Sequence, residues 1–364
     1  MKRVFRASLA SSADFVRASM AMVRGPWPRA RMLRSGGSIG IAFLVFAMPG
    51  SIEAAVFCAL YTNLLVLTDQ GGTLRTRLVV LLLAAASMTA AGALGALLAG
   101  SQPLILVATF ALAVFAGLLH SSMPGVEMVP RNALICFVVG AYIPIANGPT
   151  ISAIGIGSLC ALAGILAEHA RWGAPAGATA GTAVSYPGPR FSAVFGTVAV
   201  CGLLLGQVLG TARPYWVTIT TLVVMQPDRR AATLRVLQRF GGTTGGVVLA
   251  YVTAILTPAF MRNEILLVLA LVLPFIWPLS FARNYGLGVI IISTWILLLL
   301  DMALPSDETI GSLFAARLAD TAAGCALALL GNLLLRETQP GDLDWAETTH
   351  DRDAEVPSSQ ENKN

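Results

Sequence analysis

Arg317-Leu-Ala-Asp320-Thr321-Ala-Ala-Gly324 sets a guanidinium, a carboxylate and a hydroxyl inside an otherwise apolar run. At helical spacing Arg317, Thr321 and Gly324 share one face, and Asp320 lies three residues on, close enough to pair with Arg317. Charges in such a run are expensive and face the protein interior or a water-filled cavity. The chemistry on offer is a cationic anchor for an anion, beside a carboxylate able to exchange a proton. The structural alternative is an ion pair that fixes helix packing. Arg239-Phe-Gly-Gly-Thr-Thr-Gly-Gly246 repeats the order, with Arg239, Thr243 and Gly246 on one face. Gly242 and Gly246 are spaced for close helix approach, as are Gly241 and Gly245. The alternative for Arg239 is an arginine that opens its helix and snorkels to the membrane edge.

Upstream, Tyr215-Trp216 opens an apolar run carrying Thr218, Thr220 and Thr221, and Gln226-Pro227-Asp228-Arg229-Arg230 closes it. The aromatic pair suits interfacial anchoring or stacking on an aromatic ligand. Glu53, and Glu168 beside His169, stand at segment ends and read as solvent-exposed. The five cysteines lie in apolar runs without metal-ligand or CxxC spacing, and the three histidines form no HExxH set. No metal site and no cofactor are expected. With no P-loop and no nucleophile–base set, neither nucleotide-driven chemistry nor an enzyme is expected. The N-terminal stretch lacks the apolar core of a cleaved signal.

The elements that position these residues are membrane helices. Of 364 residues, 56% are hydrophobic and 12% charged, against about 25% charged in soluble domains. Mean hydropathy is +0.74. Apolar segments fall at 35–50, 52–68, 77–99, 102–120, 131–147, 151–170, 191–210, 214–226, 239–257, 264–281, 285–301 and 312–335. The first two and the eighth are short for a span of roughly 20 residues. Pro49, Pro144, Pro274 and Pro278 suggest kinks. Alternate loops hold the arginines: 75 and 77; 131; 171 and 190; 229, 230, 235 and 239; 283; 336. This positive-inside pattern predicts an all-α integral membrane protein of about twelve spans, both termini cytoplasmic. Residues 1–34 are a basic cytoplasmic segment, 35–170 and 191–336 two six-helix blocks, 171–190 a short linker and 337–364 a disordered tail. Thr73-Leu74-Arg75 against Thr233-Leu234-Arg235, and Cys160-Ala-Leu-Ala against Cys325-Ala-Leu-Ala, suggest parallel repeats with a pathway at their interface.

The Tyr215-Trp216 opening, the Gln226-Pro227 turn, the RxxGTxxG at 239–246 and the RxxDTxxG at 317–324 resemble the fusaric acid resistance family of bacterial inner-membrane proteins. That family includes aromatic acid exporters and is distantly similar to aluminium-activated malate transporters. In the first half the turn Thr68-Asp-Gln-Gly-Gly-Thr-Leu-Arg-Thr-Arg77 looks like the equivalent glycine-rich turn. The later pattern there is reduced to Thr89-x-x-Gly92 without its arginine. The resemblance implies ion-gradient-driven export of small aromatic or other organic carboxylic acids. Arg317, Asp320, Thr321, Arg239, Thr243, Tyr215 and Trp216 are then the substrate-binding candidates, with the two arginines near opposite membrane faces. Gly242, Gly246 and Gly324 are helix-packing residues. The expected partners are a small organic anion, protons and the lipid bilayer, not nucleic acid. A homo-oligomer or an accessory efflux subunit stays open. The rival readings are a passive organic-anion channel and a non-transporting membrane scaffold.

Overall fold

The computed structural model describes residues 19–23, 25–119, 126–143, 148–173, 188–211, 213–226, 229–303 and 310–335. Among these, twelve α-helices and one 3-10 turn form the regular structure. They are α1 Arg29–Ala47, α2 Ile52–Thr68, α3 Leu74–Leu98, α4 Gln102–Leu119, α5 Met128–Tyr142 and α6 Gly148–Trp172. Then follow α7 Pro189–Val208, α8 Tyr215–Val224, α9 Arg229–Leu256, α10 Arg262–Arg283, α11 Tyr285–Ala303 and α12 Ile310–Leu334. Nine are long and apolar enough to cross a bilayer; α2, α5 and α8 are the shorter apolar ones. The first helix thus meets the length that its apolar run alone lacks, and the fifth does not. Large apolar side chains such as Leu82, Val107 and Ile255 face outward, as lipid contact requires.

Two helix starts differ most from the sequence reading because apolar runs underestimate helices that project beyond lipid. α1 begins at Arg29 rather than at residue 35. α9 begins at Arg229, ten residues ahead of the apolar segment. The stretch RRAATLRVLQ is rich in Ala, Leu, Arg and Gln, which favour helix, and has no Gly or Pro to stop it. Arg239 therefore lies about 15 Å along its helix at 1.5 Å per residue. It does not open the helix. Pro274 and Pro278 lie inside α10 and Pro49 in the turn after α1. Pro144, the linker centre 174–187, residues 304–309 and the tail lie outside the described residues, as do positions 1–18.

The helix pairs that pack together follow a rule. In the first six, α1 packs on α2 and α6, α2 on α6 and α3, α3 on α5 and α6, and α4 on α5. In the last six, α7 packs on α8 and α12, α8 on α12 and α9, α9 on α11 and α12, and α10 on α11. These seven pairs recur six helices later, while α2 with α5 and α3 with α4 pack as well in the first block. The two blocks meet through α4 with α7 and α1 with α10, and through α2 with α11 and α5 with α8. Close contacts recur with them. A methyl group on Gly157 of α6 would lie 2.6 Å from Thr62 Oγ1 of α2; one on Gly324 of α12 would lie 2.7 Å from Val217 O of α8. The short sequence matches behave differently. Thr73 caps the N-terminus of α3, its hydroxyl accepting from Thr76 N, whereas Thr233 lies inside α9.

One end of the bundle gathers arginines. Arg34 of α1, Asp69 after α2, Arg77 of α3 and Glu168 of α6 meet there. Arg283 at the end of α10 donates from Nη1 to Val23 O at 3.1 Å. Asn284 and Gln238 donate to Ser19 O. At the other end Arg262 of α10 pairs with Asp301 of α11 at 2.7 Å. There Gln207 of α7 donates to the Tyr142 hydroxyl of α5 at 2.7 Å.

Candidate functional site

The residues singled out on α8, α9 and α12 meet where those three helices pack on one another. α8 is a ten-residue helix that Pro214 precedes. Its hydroxyls are buried and turned to neighbouring helices. Thr218 donates to Ala199 O of α7 at 3.2 Å. The Thr221 hydroxyl lies 2.9 Å from Val217 O and 3.2 Å from Gly324 O of α12. Gly324 makes that approach: any side chain there would run into Thr220 and the Val217 carbonyl. Gly242 and Gly246 likewise let α9 lie against Gly286, Ser293 and Ile290 of α11.

Arg317 is 5% exposed and Arg239 8% exposed. Arg317 Cζ lies 3.6 Å from the centroid of the Trp216 ring, a cation–π contact. Its charge interacts with those of Arg239 and Asp320, and Cys325 lies in the field of both arginines. The two cations therefore share one neighbourhood inside the bundle and do not stand near opposite membrane faces. The early start of α9 is the reason, because it carries Arg239 inward.

Asp320 is buried but forms no ion pair with Arg317, although the two are three residues apart. The Trp216 ring takes the guanidinium instead. Asp320 faces the Thr211 hydroxyl after α7 and lies in the field of Arg213. Thr321 donates to Arg317 O at 2.8 Å and so caps its own helix backbone. Tyr215 is buried, with its ring 6.4 Å from Trp216 and 6.1 Å from Tyr142 of α5. It is part of an internal aromatic row, which interfacial anchoring alone does not describe.

Six buried polar atoms without partners lie on these helices. Arg239 Nε, Arg317 Nη1, Asp320 Oδ1, Thr243 Oγ1, Thr220 Oγ1 and Trp216 Nε1 are all buried and have no hydrogen-bond partner. More than nine in ten buried polar groups in native proteins are paired. Two cations, one carboxylate and a set of free donors beside an indole face can receive a planar anion. A guanidinium offers a forked donor that fits a carboxylate, and the indole offers a stacking surface.

A second charged cluster escaped the sequence reading. Arg77 donates through Nε to Asp69 Oδ1 at 3.1 Å and through Nη2 to Asp69 Oδ2 at 2.7 Å, and its Nη2 also meets Glu168. Arg34 pairs with Asp69, and with Glu168 at 3.2 Å. Glu168, expected in solvent, is 4% exposed. It is drawn in by two arginines that the charge pattern read only as topology markers. The available signal was Asp69 eight residues ahead of Arg77 across a glycine-rich turn. Glu53 is exposed, as its boundary position suggested. His120 and His350 lie outside the described residues.

The uncharacterized membrane protein YvaC of Bacillus subtilis (strain 168) is 28% identical over 142 residues, 39% of this chain and 22% of that protein. The match thus spans about a fifth of the relative's length. No solved structure matches. Residues 198–331, which run from α7 into α12 and hold all seven binding candidates, are similar to the family model described as fusaric acid resistance protein-like, and the long apolar helices make the chain a multi-pass membrane protein.

Proposed function

We propose that this protein is a secondary transporter that exports small aromatic or other organic carboxylic acids across the bacterial inner membrane, driven by the proton motive force. The observation that carries the reading is the pair of buried arginines, Arg239 and Arg317, with free donors beside the Trp216 ring. Two buried cations against one carboxylate leave a site that an anion completes. In that reading Arg317 grips the carboxylate, Arg239 adds charge, Trp216 and Tyr215 face the ring, and Thr243 and Thr321 lie along the helix faces that border the site. Asp320, beside Thr211 and not committed to Arg317, is placed to exchange the coupling proton.

The fold reading is twelve spans with both termini cytoplasmic, in two parallel six-helix repeats related about an axis along the membrane normal. The recurrence of seven helix pairs six helices later supports it, as do the glycine contacts. Carrying Gly246 onto Gly95 and Val217 onto Cys58, by their matching contacts, puts Met88 at the place of Arg239 and Phe57 at that of Trp216. The first repeat therefore has an apolar counterpart of the site, and the second repeat alone carries the cations. A passive anion channel would use the same cations. It differs in having no response to a pH gradient, and a scaffold differs in having no flux.

The test is efflux of radiolabelled aromatic and aliphatic carboxylates from cells with wild type or Arg317→Gln at equal membrane level. Loss of one acid class in the variant is expected. No efflux of any acid by wild type would remove the substrate reading.

A further inference from the structure

We propose a second anion-binding site at the arginine-rich end of α1, α3 and α6, taking an oxyanion, carboxylate or phosphate, beside an apolar ring or chain. It rests on its own geometry and not on the reading of Arg239 and Arg317. A cavity of about 430 Å³ opens there, lined by Trp27, Arg29, Arg31, Arg34, Arg77 and Glu168. Small-molecule pockets run from about 300 to 1,000 Å³. Four arginines and one carboxylate thus line its walls, and Asp69 beside them pairs with Arg34 and Arg77.

The site has a fixed floor and an exposed rim. Arg77 is 1% exposed, and Asp69 and Glu168 hold its Nε and Nη2. Its Nη1 has no partner. A buried guanidinium locked by two carboxylates with one amino group spare is a preorganised donor, because no side-chain freedom is left to lose on binding. Arg34 is buried beside it in the same ion network. Arg29 and Arg31 are exposed and add charge at the mouth. Trp27 is exposed and Trp172 half-exposed, so two indoles border the arginines. Arginine forks bind carboxylate and phosphate oxygens in pairs, and indole faces take an aromatic ring or an acyl chain. This constellation lies outside the stretch 198–331.

The ligand is either a free organic acid on the way to the bundle or a phospholipid headgroup reaching from the bilayer. Both present the same oxyanion. Purified full-length protein in nanodiscs separates them, with radiolabelled benzoate as probe at 150 mM salt. Arg29→Gln with Arg31→Gln is the deciding variant, because both residues are exposed and outside the buried network. In phosphatidylcholine discs the free-acid case gives a benzoate site weakened at least tenfold by that double variant and unchanged by Arg317→Gln. In the lipid case, discs containing phosphatidylglycerol suppress that binding, and native mass spectrometry finds the anionic lipid retained by wild type and lost from the double variant. Benzoate binding identical in wild type and the double variant, with no difference in retained lipid, overturns the proposal. If all benzoate binding is lost on replacing Arg29 and Arg31 and no separate site is lost in Arg317→Gln, the second site stands and the Arg239–Arg317 reading falls.

Discussion

Arg317 Cζ sits 3.6 Å from the centroid of the Trp216 ring, and Asp320, one turn along the same helix, is left without that arginine. The indole does for the cation what the carboxylate was expected to do. It neutralises part of the cost of burial without cancelling the charge, so the guanidinium keeps a free amino group. An ion pair would have quenched the site; a cation–π contact leaves it open to an anion.

Replacing Trp216 with Leu removes that contact. Cation–π pairs are worth about 0.5–2 kcal/mol, so apparent affinity for a transported aromatic acid should fall about 2- to 30-fold. Trp216→Phe should recover most of the loss. The half-saturating concentration for efflux, at equal protein level, is the readout.

Arg239→Lys keeps the charge but loses the planar fork and its fixed donors. Transport should fall at least tenfold in Arg239→Gln and stay severalfold low in Arg239→Lys. Full activity in the lysine variant would mean that Arg239 supplies field alone.

Asp320→Asn retains size and removes the exchangeable proton. Efflux should persist but lose its dependence on external pH between pH 6 and 8. Unchanged pH dependence would take Asp320 out of the coupling role.

The network of Arg34, Asp69, Arg77 and Glu168 is buried and paired, so removing one member strands a charge. Such losses cost about 3–5 kcal/mol. Glu168→Gln should lower the melting temperature of the purified protein in detergent by several degrees. Replacing Asp69, Arg77 and Glu168 together with apolar residues of similar volume should restore most of it.

Gly324→Leu should prevent α12 from seating on α8, because even a methyl group would lie 2.7 Å from the Val217 carbonyl. Gly241→Ala is the control, since nothing lies within 4 Å of its position. Membrane yield and melting temperature should collapse for the first and hold or rise for the second.

Much of the architecture is legible in the sequence because lipid imposes a simple code. Apolar runs mark α1 to α12, and arginines such as Arg75, Arg171 and Arg283 mark alternate connections. The arginine–threonine–glycine spacings on α9 and α12 brought their residues onto helices that do touch. Depth was not legible. Arg239 looks like the start of a helix because the residues before it are charged, yet that charged stretch is itself helical. Partner choice was not legible either. Three-residue spacing allows Arg317 to meet Asp320, but the competing partner, Trp216, lies about a hundred residues away in sequence. The same long separation hides Glu168, whose cations come from α1 and α3. Periodicity within one segment cannot reveal contacts between segments.

The most direct test of the central claim uses purified protein in proteoliposomes, with labelled benzoate flux measured under an imposed pH gradient for wild type and Arg317→Gln. Wild-type flux should accelerate with the gradient and fall at least tenfold in the variant, with melting temperatures alike. Equal flux in both proteins, or flux indifferent to the gradient, would contradict the claim.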